Sequence, residues 1–260
     1  MFSKKTIFCI ILLSISCAII IYYLKDPNAI HQEHSLQAPS ATFILGTDYL
    51  GRDLFSRLFF GILQSISIGL IVLIIVAIIS IFLGGLSGYI KGPLDYGIVF
   101  FADLLSSIPS MVLCLVFVGF FANSVWSVTI ALIISWLGKY IRYIRNLVIS
   151  LQKEDFITLA PLHGSTGLHT LMVHLLPNLA YPLLALFITD IGKIILSVSG
   201  LAFLGLGIQP PTAELGTILY DGKAYFFIAP WLFIFPGICL TVLILMSQLL
   251  GRKLMQWYQT

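Results

Sequence analysis

Charged residues are scarce in this 260-residue chain, because Asp, Glu, Lys and Arg together make up only 10% of it. A soluble globular domain carries about 25% of these residues. Hydrophobic residues account for 59% of the chain, and its mean hydropathy is +1.03. A water-soluble fold of this size could not bury so much apolar surface. The composition therefore excludes an ordinary soluble domain and predicts a membrane protein.

Motifs for soluble-enzyme chemistry are also missing. The phosphate-binding pattern GxxxxGK[ST] is absent, so the chain is not expected to hydrolyse ATP, and the zinc motif HExxH is absent too. The four cysteines all lie inside apolar runs, without metal or redox spacing. The segment His31–His34 holds two histidines and could touch a metal, but a solvated loop is the favoured interpretation. No catalytic residue, metal site or bound cofactor is predicted in this chain.

Long apolar runs are what the sequence has in abundance. Each is long enough for a helix of about 20 residues to cross the bilayer. An all-α polytopic bundle of about six spanning helices is therefore predicted. The fourth run continues into the basic residues Lys139, Arg142 and Arg145, and the last is expected to bend at Pro230 and Pro236. The predicted spans are Thr6–Leu24, Ile66–Tyr89, Tyr96–Phe121 (interrupted by Asp103 and Pro109), Val125 to about Leu137, Leu179 to about Leu206, and Phe226–Leu250.

The distribution of Lys and Arg predicts the orientation of these spans, because cytoplasmic loops carry an excess of both. With the N-terminus inside, nine basic residues fall in cytoplasmic segments and four in outer segments. Both termini are therefore expected in the cytoplasm, and the first run is expected to be a retained anchor. The long polar stretch Ser150–Pro177 is expected to face the cytoplasm, where a partner can reach it.

Ionisable residues inside the spans are the candidates for a function within the membrane. Asp190 and Lys193 are three residues apart, so on a helix they share a face and can neutralise each other. Together with Asp103, they line a substrate pathway or pair helices, and the sequence leaves both interpretations open. The basic helix end at Lys139, Arg142 and Arg145 is interpreted as an anchor at anionic head groups, with support of a docking loop as the alternative.

Two segments resemble a known family. Leu45–Arg57 reads LGTDYLGRDLFSR, and Leu204–Pro211 reads LGLGIQPP. Both closely resemble segments of the second permease of the dipeptide, oligopeptide and nickel class of ABC importers. The resemblance covers the chain from about Leu45 to its end. The residues that carry it are Gly46, Thr47, Asp48, Gly51, Arg52, Asp53, Gly205, Gly207, Gln209 and Pro210.

The resemblance implies a fold, partners and a location. The fold would be that of a type I ABC importer permease in the cell membrane. A homologous second permease would complete a heterodimer, two cytoplasmic subunits would use ATP, and an extracytoplasmic solute-binding protein would deliver the cargo; no nucleic acid is implied. Residues 1–60 would form an anchor helix with the outer motif loop, and residues 61–260 the transmembrane domain with a cytoplasmic coupling loop at about 150–178.

The same resemblance implies how the chain contacts its ATPase. The family uses a short helix in a loop that begins with Glu-Ala-Ala and ends in LPN. Here the beginning has changed to Thr158–Ala160, followed by Pro161, so the coupling helix is expected to begin near His163. The residues expected to form the coupling loop are Ala160, Gly164, His174, Pro177 and Asn178.

The resemblance leaves the cargo between peptides and metal chelates. Val198 stands where many peptide permeases have Glu, and Asp190–Leu196 is more similar to the nickel and metal-chelate branch, which favours a metal or metal–metallophore cargo. A second hypothesis is a self-contained secondary transporter that uses Asp103, Asp190 and Lys193 as an ion relay. A third, an intramembrane enzyme, has little support, because the histidines of the Ser150–Pro177 loop lack a carboxylate at a convincing spacing.

Overall fold

The computed structural model describes residues 23–121, 124–158, 169, 173 and 175–259, and this part of the chain is helical apart from its loops and turns. Two short 3-10 helices accompany the α-helices, at Gln32–His34 and Lys223–Tyr225. The described α-helices are α1 (Leu54–Ile90), α2 (Pro93–Ser107), α3 (Ser110–Phe120), α4 (Val125–Leu151), α5 (Asp155–Thr158), α6 (Leu176–Phe203), α7 (Leu215–Gly222) and α8 (Trp231–Gln259).

Helix α1 begins at Leu54, well before the span predicted from Ile66. The Asp53 carboxylate caps it by accepting a hydrogen bond from the Ser56 backbone N–H at 2.8 Å. Arg57 lies within the helix and is buried. The helix therefore crosses the predicted boundary between residues 60 and 61, and it ends at Ile90.

The predicted third span is a broken pair of helices, as the sequence suggested at Pro109. Helices α2 and α3 meet at an angle of 84° across a two-residue break. Ile108 is extended, which a following proline favours, and Pro109 has no N–H to continue the helix of α2. Asp103 does not interrupt the span, because it lies inside α2.

Three further helix bounds differ from the predictions. Helix α4 runs unbroken to Leu151, so the basic residues Lys139 to Arg145 lie within it. Helix α6 begins at Leu176 with Pro177 in its first turn, where the missing N–H costs nothing. Helix α8 begins at Trp231, so Pro230 precedes the helix and only Pro236 lies inside it.

Helix α1 packs along α4, and α6 packs along α8. The first contact is close because Gly84 and Gly88 of α1 face the backbone of α4. A Cβ atom at Gly84 would lie 2.6 Å from the Ile141 carbonyl oxygen, and one at Gly88 would lie 2.8 Å from that of Arg145. This is the small-residue spacing through which membrane helices approach each other.

The described residues include four helices that are long and apolar enough to cross a membrane: Leu54–Ile90, Val125–Leu151, Pro177–Phe203 and Trp231–Gln256. The bent pair α2–α3 raises the number to five if it counts as one span. The chain is therefore a multi-pass membrane protein. The first predicted span, Thr6–Leu24, lies almost wholly outside the described residues, so a sixth span stays a prediction.

Candidate functional site

A charged cluster lies where the middles of α4 and α6 meet. Asp190 of α6 is completely buried, and its Oδ1 accepts a hydrogen bond from the Lys193 ammonium at 2.8 Å. Its Oδ2 accepts hydrogen bonds from the Lys139 ammonium and, at 3.1 Å, from the Tyr140 hydroxyl, both on α4. We call Asp190, Lys139, Lys193 and Tyr140 the Asp190 centre. One carboxylate there is shared by two ammonium groups.

The other two basic residues of α4 also pair with aspartates on a neighbouring helix. Arg145 forms a bidentate ion pair with Asp95 of α2, with Nε–Oδ1 and Nη2–Oδ2 distances of 2.6 and 2.7 Å. The Ser87 hydroxyl of α1 donates to the same carboxylate. Arg142 pairs with Asp103 of α2. Each basic residue of α4 therefore joins this helix to α2 or α6.

These contacts confirm one expectation and correct another. Asp190 and Lys193 share a helix face and contact each other, as their spacing indicated. Anchoring of Lys139 at lipid head groups is wrong, because Lys139 is the fifteenth of the 27 residues of α4 and its charge is paired with Asp190. The sequence did hold a signal for two of the missed pairs: Asp103 and Asp190 lie in apolar runs of other helices, and each requires a cation.

Helix α4 carries a polar stripe, part of which contacts neighbouring helices: the Ser135 hydroxyl donates to the Ser110 carbonyl oxygen at 3.4 Å, and Lys139 and Arg142 form the ion pairs described above. Its members are spaced at three and four residues, so they lie on one helix face. They are half-buried or exposed, while Ile141, Ile144 and Val148 on another face are completely buried. The α4 polar stripe consists of Ser135, Lys139, Arg142, Asn146 and Ser150.

The first family motif folds into a buried clasp at the end of the bundle where α1 begins. Asp48 Oδ1 accepts the backbone N–H groups of Leu50 and Arg52, each at 2.9 Å, and its Oδ2 accepts the Arg52 Nε at 2.6 Å. The Thr47 carbonyl accepts the indole N–H of Trp231, at the start of α8, at 3.2 Å. The clasp therefore ties the loop before α1 to a helix far along the chain.

Two further charges complete this clasp. Arg57 Nε lies 3.6 Å from Asp48 Oδ2, and Arg52 Nη2 lies 3.6 Å from Asp221 Oδ2 of α7. Burial raises the pKa of the Asp221 carboxyl, and the positive charges of Arg52 and Arg57 oppose that rise. Burial and the nearby negative charge of Asp221 also raise the pKa of Tyr49. Two carboxylates and two guanidinium groups thus neutralise one another in a buried place.

The glycines of the first motif are required by its backbone. Gly46 and Gly51 have φ values of +81° and +75°, in the region that favours glycine. A Cβ atom at Gly51 would overlap the His31 carbonyl oxygen, and one at Gly46 would lie 2.6 Å from the Gln37 carbonyl oxygen. Of the motif residues, Gly46, Thr47, Asp48, Gly51, Arg52 and Asp53 are all buried. Their burial indicates a structural role and leaves no open ligand site.

The second family motif forms the turn between α6 and α7. Gly205 and Gly207 have φ values of +79° and +89°, and the Gln209 amide donates to the Gly205 carbonyl at 2.9 Å. A Cβ atom at Gly207 would overlap the Val128 side chain of α4. The peptide bond between Pro210 and Pro211 is cis.

Just after this turn stands Glu214, which the sequence analysis missed. Its side chain is completely buried, and Oε1 accepts the hydroxyls of Ser65 at 3.0 Å and Ser199 at 2.5 Å. Oε2 accepts the backbone N–H groups of Gly216 at 2.7 Å and Thr217 at 3.1 Å. Glu214 therefore caps α7 and joins it to α1 and α6. A glutamate between a proline turn and an apolar helix was the available signal.

The predicted coupling residues fall largely outside the described part of the chain. Ala160, Gly164 and His174 lie there, as do Pro161 and His163. Pro177 and Asn178 lie in the first turn of α6, and both are exposed. The segment between α4 and α6 therefore leaves and returns at the bundle end opposite the clasp.

The histidine loop shows no metal cluster. The rings of His31 and His34 are 6.2 Å apart between centroids, and the His34 ring hydrogen-bonds to the Gln37 amide at 3.0 Å. Within the described ranges, no three His, Cys, Asp or Glu residues are grouped so that they could hold a metal ion.

Residues 80–258 match the family described as "Binding-protein-dependent transport system inner membrane component". The chain is 34% identical over 229 residues to the nickel transport system permease protein NikC of Escherichia coli (strain K12), covering 88% of this chain and 83% of the relative. It is 37% identical over 212 residues to the probable D,D-dipeptide transport system permease protein DdpC of the same strain, covering 82% and 71%. It is 32% identical over 212 residues to the dipeptide transport system permease protein DppC of Haemophilus influenzae, covering 82% and 72%.

The fold is also similar to that of a solved transporter. A chain of the MetNI methionine ABC transporter, determined in inward-facing conformations, superimposes with a TM-score of 0.59. It is 17% identical and covers 77% of this chain and 95% of its own length. That likeness supports the type I permease fold, and the sequence matches extend over most of the chain. The chain therefore belongs to the family of inner-membrane components of binding-protein-dependent transport systems.

Proposed function

We propose that this chain is a permease subunit of an ATP-driven importer for nickel, metal chelates or peptides. The observation that carries the proposal is the family match across residues 80–258, together with relatives named as nickel and dipeptide permeases. The chain lacks a phosphate-binding motif of its own, so the energy must come from a separate ATPase. The secondary-transporter alternative is less well supported, because Asp103 and Asp190 are each held in an ion pair.

The proposed partners are a homologous second permease, two cytoplasmic ATPase subunits and an extracytoplasmic solute-binding protein. The α4 polar stripe supports a second permease. The exposed parts of these polar side chains need a protein or water neighbour in the membrane, since lipid offers them no hydrogen bonds. Two permeases that place such stripes opposite each other would enclose a pathway for the cargo.

The proposed orientation places both termini in the cytoplasm and the clasp at Asp48 outside. The positive-inside bias supports it: without Lys139, Arg142 and Arg145, which lie within α4, six cations fall inside and four outside. The segment between α4 and α6 then faces the cytoplasm. We assign ATPase coupling to this segment, including Ala160, Gly164, His174, Pro177 and Asn178.

Replacement of Gly164 by Trp tests the coupling assignment. A bulky side chain in the docking helix is expected to prevent its fit into the ATPase, so the assembled importer should lose ATPase association and uptake. The matched control is Gly97→Trp: Gly97 is exposed on α2 near the same bundle end, with nothing within 4 Å of the position of a Cβ atom. The control should retain both. Normal uptake and normal ATPase copurification of Gly164→Trp would sink the assignment.

The cargo is tested on the solute-binding protein that accompanies this chain. Titration calorimetry with dipeptides and nickel chelates side by side distinguishes the two classes. Selective binding of a nickel chelate would support the metal branch, to which Asp190–Leu196 is more similar. Selective binding of dipeptides would overturn that choice of cargo and leave the permease assignment intact.

A further inference from the structure

The Asp190 centre carries a surplus of positive charge in the middle of the bundle. Two lysines share one carboxylate, so the formal sum is +1. Lys139 lies about 20 Å from either end of α4, and Asp190 holds the equivalent position in α6, at 1.5 Å per residue. Within the described residues, the ion pairs that involve either lysine are those with Asp190.

The side chains of the two lysines are accessible, although that of the aspartate is not. The side chains of Lys139 and Lys193 are 44% and 49% exposed on this chain, whereas that of Asp190 is not exposed at all. Each ammonium has three N–H groups. One hydrogen bond from each goes to Asp190, so donors remain for a further acceptor on the open side.

Lipid cannot cover this face at low cost. Charged side chains at the middle of a membrane face a protein interior or a water-filled cavity, because hydrocarbon does not solvate them. The α4 polar stripe continues from Lys139 to Ser150, so exposed polar side chains lead from the Asp190 centre towards the end of α4. We therefore expect the face with Lys139 and Lys193 to line a water-filled cavity between the two permeases.

We infer that Lys139 and Lys193 form a binding site for a carboxylate group of the cargo as it crosses the membrane. A carboxylate would neutralise the surplus charge and accept the unused N–H groups of both lysines. Asp190 then serves as a positioning residue, which holds the two ammonium groups together and limits their net charge to +1. This limit keeps binding weak enough for release. The inference rests on the proposed function and adds the chemical class of the cargo.

The test places a reporter cysteine next to the site. Ser197 lies one turn after Lys193, and its hydroxyl donates to the Lys193 carbonyl oxygen. The Ser197→Cys variant of this chain, with its four native cysteines replaced by Ser or Ala, is assembled with the second permease and the ATPases in inside-out membrane vesicles. Its reaction rate is measured with an anionic sulfonatoethyl and a cationic trimethylammonioethyl methanethiosulfonate. The anionic reagent is expected to react about tenfold faster after correction for intrinsic reactivity.

Single lysine replacements show whether the surplus charge is the cause. Lys193→Met or Lys139→Met leaves one lysine paired with Asp190, so the site stays neutral and the fold is preserved. Each is expected to abolish the preference for the anionic reagent, whereas Lys193→Arg should keep it. A reporter at Phe227→Cys, on a side chain that is 97% exposed and remote in sequence, should be unaffected by either replacement.

A cargo-like probe identifies the source of the carboxylate. Glycylhistidine and glycylhistidinamide, each with and without Ni²⁺, differ by the carboxylate alone. Millimolar glycylhistidine should slow labelling of Ser197→Cys about threefold, while the amide should not. If a carboxylate of the partner permease already neutralised the lysines, neither reagent preference nor protection would be seen, and the inference would be overturned. If the Ser197→Cys chain failed to copurify with the ATPases, that result would instead contradict the proposed function.

Discussion

A single carboxylate, Glu214, holds three helices together near the turn between α6 and α7. Its four hydrogen bonds come from two hydroxyls and two backbone N–H groups, and none of its side chain reaches the surface. The Ser65 hydroxyl also contacts the Gly61 carbonyl at 2.9 Å, so it can turn its proton there and accept a bond in its place. On the Ser65 side, residue 214 can therefore be either a hydrogen-bond acceptor or a hydrogen-bond donor.

Glu214→Gln and Glu214→Ala are expected to differ sharply. A glutamine can keep its oxygen on the backbone N–H groups of Gly216 and Thr217 and donate its amide to the two hydroxyls. Alanine leaves the backbone donors without an acceptor, which costs about 2–4 kcal/mol of stability in total. Thermal unfolding of the purified permease should show a large drop in midpoint for alanine and a small one for glutamine. Equal drops would mean that the negative charge itself is required.

The contact of α1 with α4 depends on small residues at two positions. Gly84 and Gly88 approach the α4 backbone, as described above, whereas the intervening Gly85 has nothing within 4 Å of the position of a Cβ atom. The three glycines share one helix and nearly one depth. They therefore separate the effect of packing from that of helix propensity.

Gly84→Ala and Gly88→Ala are expected to push α1 away from α4 and to lower stability by about 1–3 kcal/mol each. Gly85→Ala should leave stability unchanged or raise it slightly, since alanine favours helix over glycine by about 1 kcal/mol. The midpoint of thermal unfolding in detergent distinguishes the three. Similar losses at all three positions would refute the packing explanation.

At the scale of the whole molecule, the clasp joins parts of the chain that are distant in sequence. Residues 47–57 contact α7 through Asp221 and α8 through Trp231. The side chains of Arg52 and Asp221 are 3% and 13% exposed, so neither charge is well solvated. The charges of Asp48, Arg52, Arg57 and Asp221 sum to zero only when all four are present.

Arg52→Leu is therefore expected to leave the clasp with a buried negative surplus and to lower stability by about 3–5 kcal/mol. Arg52→Leu combined with Asp221→Leu restores neutrality and should recover at least half of that loss. Lys223→Leu serves as the control: Lys223 is exposed next to α7 and its ammonium lies 3.7 Å from the centroid of the Tyr220 ring, so its loss should change stability by no more than about 1 kcal/mol. The rate at which a protease cuts the outer loop in intact cells or spheroplasts is an independent measurement of the stability of the clasp. A double variant no more stable than Arg52→Leu would argue against charge balance as the cause.

Much of the fold was predictable from the sequence, because apolar length and the bilayer constrain helices strongly. The run that begins at Val125 had to be a helix, and Pro109 had to break its own run, since both follow from local backbone chemistry. The two motifs at Leu45 and Leu204 also placed the chain in its family. Helix starts were harder to locate. The charge of Arg57 is typical of a loop in the sequence, and only the folded chain shows that Asp48 lies close enough to pair with it inside the bundle.

The sequence by itself determined the membrane class, the approximate helices, the contact between Asp190 and Lys193 and the family. Only the tertiary structure decided which cation meets which carboxylate. Lys139, Arg142 and Arg145 find Asp190, Asp103 and Asp95 across 51, 39 and 50 residues, and no local spacing encodes such partners. The physical reason is that burial makes each charge depend on whichever helix packs beside it, and this packing is set by the whole bundle.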